Sequence, residues 1–146
     1  MFKHLIVPVD DFALQDKDFS QLRDLALRDD AKVTFVHVSD PLPPAFYLQN
    51  GFGGDYITVP DHKKACDTYA KRLFKKADRL LGPLVKTDSV HVFHSDTPQG
   101  IVEATETAGA DAILMVSHKR SGLGGLLMGS ETRDVMRRAN VPIVVL

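Results

Sequence analysis

The chain has 146 residues, with 18 Lys+Arg against 19 Asp+Glu for a net charge of −1, 44% apolar residues and 25% charged ones. That length suits one domain with one core spanning residues 1–146, and the even charge balance excludes the strong field of a protein built to hold nucleic acid or an anionic membrane. The lone cysteine, Cys66, excludes an intramolecular disulfide and a thiolate metal site of the zinc-finger kind.

At the start, Leu5–Val9 is a short apolar run containing Pro8, too brief for a secretory leader. No apolar stretch approaches the ~20 residues of a membrane span, so a cytoplasmic protein is expected. Leu5–Val9, Lys32–Val38, Ser89–Phe93, Ala112–Val116 and Pro142–Leu146 are all of strand length. Most are apolar at consecutive positions, as in Ala112-Ile113-Leu114-Met115-Val116, which requires both faces of the sheet to be covered and predicts parallel strands.

Helical spacing fills the intervals. Phe19, Leu22, Leu25 and Ala26 form one stripe, and Cys66, Tyr69, Ala70, Leu73, Ala77, Leu80 and Leu81 form a second, stopped by Gly82-Pro83. A third helix starts at Thr97-Pro98, with threonine as cap, and ends near Gly109. A fourth runs from Ser130 with Thr132, Val135, Met136 and Ala139 on one face. Strand and helix alternate from end to end, which predicts an open, doubly wound α/β fold with a parallel sheet and right-handed crossovers. Ligands on such sheets sit beyond the carboxyl ends of the strands. Between Ser39 and Pro60, three prolines followed by three glycines read as a surface loop.

The segment Ser117–Ser130 leaves a strand, turns through glycines and opens a helix. Unpaired N–H groups at a helix start, the helix dipole and close approach at glycine make an anion site there, with Lys119 and Arg120 adding positive charge. A plain glycine-rich connection with solvated basic residues explains the same spacing. Ser130 and Glu131 stand where a Walker-type phosphate loop needs Lys and Ser/Thr, and Gly-x-Gly-x-x-Gly is absent. The six histidines lack metal-ligand spacing and are expected at the surface or at strand ends. Cys66, on the inward stripe, is expected to be a buried, inert thiol. No serine lies in a Gly-x-Ser-x-Gly elbow, so a Ser-His-Asp enzyme is not expected.

Phe2-Lys3-His4-Leu5-Ile6-Val7-Pro8-Val9-Asp10, Val36-His37-Val38, Gly109-Ala110-Asp111, Ser117–Ser130 and Val141-Pro142-Ile143-Val144-Val145-Leu146 together resemble the universal stress protein family over essentially the whole chain. The resemblance implies a Rossmann-like, adenine-nucleotide-binding sheet of order 3-2-1-4-5, a homodimer, and ATP, with or without Mg, as ligand. It places Pro8, Val9 and Asp10 beside adenine and ribose, Val38 on adenine, and Met115 and Val116 at base and sugar. Lys119, Gly129, Ser130, Glu131 and Thr132 would surround the phosphates. Val141, Pro142, Ile143, Val144, Val145 and Leu146 would pair with their copies across a two-fold axis, as an apolar edge strand invites.

The family's ATP-binding members carry Gly-x2-Gly-x9-Gly-(Ser/Thr). Here Val116 and Lys119 replace the first two glycines, and Gly129-Ser130 remain. If the backbone there needs positive φ, each replacement costs about 1–2 kcal/mol; if not, binding survives. Glu131 opposes a polyphosphate. Asp10 has an alternative role capping the loop after the first strand, and Ser130 one as the cap of its own helix. Two readings stand: a dimeric nucleotide-binding stress-response protein signalling through an unknown partner, and a dimeric interaction module that has lost the ligand. An ATP hydrolase lacks a residue suited to activate water.

Overall fold

The computed structural model describes residues 1–15, 18–41, 59–116 and 129–146. Among them β1 (His4–Pro8), α1 (Ser20–Asp29), β2 (Lys32–Ser39), α2 (Val59–Leu81), β3 (Thr87–Phe93), α3 (Thr97–Ala108), β4 (Ala112–Met115), α4 (Ser130–Arg138) and β5 (Ile143–Val145) follow in order. The strands form one sheet in the order β3-β2-β1-β4-β5, with every pairing parallel.

The consecutive apolar positions do what the sequence predicts. Along β1, Leu5, Val7 and Val9 enter a core shared with α1 and α2, while Ile6 enters a second core under α3 and α4. Along β4, Ala112 and Leu114 face the first core and Ile113 and Met115 the second. Alternate side chains leave opposite faces of a strand, so a strand covered on both sides needs an unbroken apolar run.

Strand limits fall within two residues of the predicted ones. The second helix departs further, for α2 begins at Val59, inside the stretch read as loop. Pro60 stands in its first turn, where a missing N–H costs nothing. Residues 42–58 of the predicted loop lie outside the described residues. At the other end of α2, Gly82 takes φ +88°, and Arg23 of α1 donates to the carbonyls of Leu80 (2.6 Å) and Leu81 (2.5 Å), which have no partner within the helix.

The start of α3 corrects the predicted cap by one residue. Asp96 is the N-cap, accepting from the Gln99 N–H at 3.3 Å, and Thr97 is already helical. Gly100 sits where α3 crosses β2, and a Cβ there would lie 3.0 Å from Val38 Cγ1 and 3.1 Å from His94 Cβ. Asp111 explains its motif. Its carboxylate accepts from the N–H groups of Lys3 (2.8 Å) and His4 (3.1 Å), and its own N–H donates to the His4 carbonyl (3.0 Å), joining the starts of β1 and β4.

Two predicted stripes are narrower than expected. Met136 is exposed on α4 while Thr132 and Val135 are buried. Cys66 is half-buried and lies one turn before the first buried residue of α2, Ala70. No helix among the described residues is long and apolar enough to cross a membrane.

Candidate functional site

Strand order reverses at β1, which pairs with β2 on one side and β4 on the other. Helices on opposite faces diverge at such a point and leave a crevice at the carboxyl ends of the strands. The crevice here has a volume of about 270 Å³, near the bottom of the ~300–1,000 Å³ range of small-molecule pockets. Pro8, Val9, Asp10 and Ala13 supply one wall, and Val36, His37 and Val38 supply a second. Met115 and Val116 form the floor at the end of β4, and Thr97 and Ile101 of α3 face Gly129, Glu131 and Thr132 at the start of α4.

Of the eleven residues expected around a nucleotide, nine line this crevice: Pro8, Val9, Asp10, Val38, Met115, Val116, Gly129, Glu131 and Thr132. Ser130 is exposed beside it without lining it. Lys119 lies outside the described residues. Ser130 is also not the cap of its helix: Gly129 takes that place in an extended conformation (φ −61°, ψ 160°), and Ser130 opens the first turn.

Asp10 does cap the turn after β1, since its Oδ1 accepts from the Ala13 N–H at 2.6 Å, while the residue still lines the crevice. At Val116 the conditional cost disappears. Asp30 is the only non-glycine residue with positive φ among the described ones, so valine is accommodated at 116 without a left-handed backbone. A Cβ on Gly129 would have no atom of the described residues within 4 Å.

Glu131 is exposed as a residue, yet its carboxyl borders the crevice. Loss of water around it, then the charge of Asp10, push its pKa up from the usual carboxylate value. The first turn of α4 therefore offers unpaired N–H groups beside a carboxylate that disfavours a second negative charge.

The sequence reading misses Ala13, Val36, His37, Thr97 and Ile101 in the lining. Ala13 and Ile101 are buried packing residues that no motif marks, whereas Val36 lies within the Val36-His37-Val38 stretch and Thr97 at a helix start, neither residue being given a place in the lining. His37 belongs to a larger arrangement. Its Nδ1 is 2.8 Å from the Val9 carbonyl, its ring stacks on His91 at 5.9 Å, and it meets the Tyr69 ring edge-on at 5.4 Å. His91 in turn contacts Ser39 Oγ at 2.7 Å and Asp67 Oδ1 at 2.6 Å. The Tyr69 hydroxyl donates to Asp11 at 2.6 Å, and burial followed by that carboxylate raises its pKa to about 12.

A hydrogen-bonded Ser39–His91–Asp67 line thus exists where none was expected. Ser39 is buried within β2 and occupies no nucleophile elbow, so the line acts as a brace between sheet and α2. Histidines 37 and 91 are accordingly interlayer connectors rather than surface residues. His37 and His91 occupy matching registers on adjacent strands, a pairing that only the fold reveals. On α2, Cys66 Sγ lies 3.5 Å from His62 Nε2. No group of three or more His, Cys, Asp or Glu is placed to hold a metal among the described residues.

Comparison with known proteins agrees with this architecture. The profile described as "Universal stress protein family" matches residues 1–146. Universal stress protein G of Shigella flexneri is 28% identical over 155 aligned positions, covering 99% of each chain. Among solved structures, the universal stress protein UspA from Lactobacillus plantarum superposes with a TM-score of 0.67 at 18% identity, covering 99% of this chain and 97% of that one. A universal stress protein in complex with cAMP superposes at 0.62 with 15% identity, covering 99% and 96%.

Proposed function

The chain belongs to the universal stress protein family, and from that premise we propose that it is a non-enzymatic, cytoplasmic stress-response protein that binds an adenine nucleotide, ATP in the first instance, in the crevice at the β1–β4 switch point. The observation that carries this reading is the convergence of Pro8, Val9, Asp10, Val38, Met115, Val116, Gly129, Glu131 and Thr132 on one cavity, together with a related fold that holds cAMP. The apolar walls suit a purine, Asp10 suits a ribose hydroxyl, and the first turn of α4 suits a phosphate. The decisive experiment analyses adenine nucleotide released on denaturing the purified protein and compares melting with and without Mg-ATP. A ligand at 100 times its Kd stabilises by about 2.7 kcal/mol. No released nucleotide and no shift would favour the ligand-free interaction module, the reading that the Asp10–Glu131 carboxylates support.

The proposed homodimer uses the edge of β5. The Pro142 carbonyl and the Leu146 N–H bond to β4, so in a parallel ladder Ile143 and Val145 direct their backbone groups outward. Val145→Pro removes one outward donor without touching β4. Sedimentation is expected to find a monomer for this variant and a dimer for the parent chain; two dimers would remove β5 from the interface.

A further inference from the structure

Charge is unevenly placed in this chain of net −1. Helix α2 carries seven Lys or Arg against three Asp, and its apolar stripe, Ala70, Leu73, Phe74, Ala77 and Leu81, is buried in the core beneath it. At about 100° per residue, Lys64, Lys71 and Lys75 fall along one line on the opposite side of the helix, and all three are exposed. The line is about 16 Å long by the helical rise.

Three other basic side chains of α2 are engaged with the fold. Lys63 lies over the Phe93 ring at 5.7 Å, Arg72 over the Tyr69 ring at 5.1 Å, and Arg79 Nε donates to the Lys75 carbonyl at 3.3 Å. Lys64, Lys71 and Lys75, by contrast, have no ion pair among the described residues. Asp67, beside the line, contacts His91 Nδ1 at 2.6 Å, and the Thr68 hydroxyl, between Lys64 and Lys71, donates to the Lys64 carbonyl at 2.9 Å. A row of like charges without counter-charges sets up a local positive potential even where the net charge is near zero.

The ends of the row limit what can complement it. Asp61 stands one turn before Lys64, and Asp78 one turn after Lys75. Duplex nucleic acid, uniformly anionic, would run past the lysines onto these carboxylates. A membrane-surface helix needs apolar side chains to insert, and those of α2 are buried. A partner helix with Asp or Glu at the spacing of the lysines, over about three turns, meets the row and stops short of both ends. A second copy of this chain does not supply one. Among the described helices α3 alone has an acidic surplus, and its Glu103 and Glu106 already accept from Gln99 at 3.1 Å and Asn140 at 3.2 Å.

We propose that the outer face of α2 is a docking surface for an acidic helix of a partner protein, held by Lys64, Lys71 and Lys75. No residue of α2 lines the crevice, so this inference is independent of the nucleotide reading.

NMR titration of the isotope-labelled full chain tests it, with an alanine-based helical peptide carrying Glu at the spacing of the three lysines and with the same peptide carrying Gln instead. Expected are amide shifts concentrated on α2 and an association constant about tenfold higher for the Glu peptide, as three exposed ion pairs of modest strength supply. That difference should fade as salt rises from about 20 mM to about 0.3 M. The triple change Lys64→Gln, Lys71→Gln, Lys75→Gln should abolish the preference for Glu. Lys3→Gln, Arg133→Gln, Arg137→Gln, which removes as much charge from exposed positions elsewhere, should keep it. Shifts away from α2, equal binding of the two peptides, or a preference that survives the α2 triple change overturns the docking surface. Tighter binding of duplex RNA or of phosphatidylserine vesicles than of the Glu peptide overturns the acidic helix as its occupant. Should the α2 triple variant not fold, the two peptides and the salt dependence on the parent chain decide the matter.

Discussion

Asp29 and Asp111, near the amino ends of the strands, are ringed by donors, whereas Asp10 and Glu131, at the carboxyl ends, share the wall of a cavity. Asp29 accepts from Arg28, the terminal ammonium and the Phe2 N–H, and those partners, led by Arg28, hold its carboxyl far below the usual range. Glu131 is displaced the other way, by lost solvation and by Asp10. Asp29 and Asp111 are thus stabilised as anions by their donors, whereas Glu131 meets lost solvation and a like charge. The carboxylates at the two ends of the strands thereby meet opposite environments.

The largest effect that can break this contrast is expected at Asp111. Replacement by Ala strips an acceptor from two backbone N–H groups, Lys3 and His4, and should cost about 1–3 kcal/mol, a fall in Tm of roughly 2–4 °C per kcal/mol in a chain of this size. An unchanged Tm would show that the amino end is not where the fold is secured. Smaller, and opposite in sign, are the paired changes Asp29→Asn and Glu131→Gln. A carboxyl with a depressed folded pKa stabilises above its unfolded value of about 3.9 and loses that stabilisation as pH falls through the folded pKa. Asp29→Asn should therefore lower Tm at pH 7 and matter progressively less below about pH 4. A carboxyl with a raised folded pKa stabilises only below its unfolded value of about 4.3 and loses this as pH climbs through the folded one. Glu131→Gln should accordingly raise Tm slightly at pH 7 and leave it unchanged near pH 4. Melting curves at the two pH values read both signs, and a shared sign would dissolve the distinction between the two ends.

The sheet was legible in the sequence because its strands are buried on both faces: a run such as Ala112–Met115 has few other uses in a chain of this size. Helix interiors were legible by their period, and their ends less so. Asp96 and Thr97 are adjacent residues that both suit a cap, and only the φ, ψ angles choose between them. Cys66 and Met136 continue an apolar spacing past the point where another layer covers it, which period alone does not reveal. The crevice was readable through the family motif at positions such as Asp10, Val116 and Gly129. His37 was not, because its role comes from contacts with Val9, Tyr69 and His91 that lie 28, 32 and 54 positions away in the chain. The Ser39–His91–Asp67 line was hidden for the same reason, since it joins two strands and a helix.

Gly100 marks the tightly packed side of the crevice. With hydrogen in place of a side chain, the α3 backbone already rests on Val38 and His94, and close-packed contacts of that kind leave a helix no inward travel. Arg138, at the far end of α4, is fastened to the start of α3 through Asp96 at 2.7 Å, while a Cβ added at Gly129, at the near end, would meet no atom of the described residues within 4 Å. The α3 side of the cavity is thus packed hard against β2, whereas the opening turn of α4 has room for a larger residue at position 129 among the described residues.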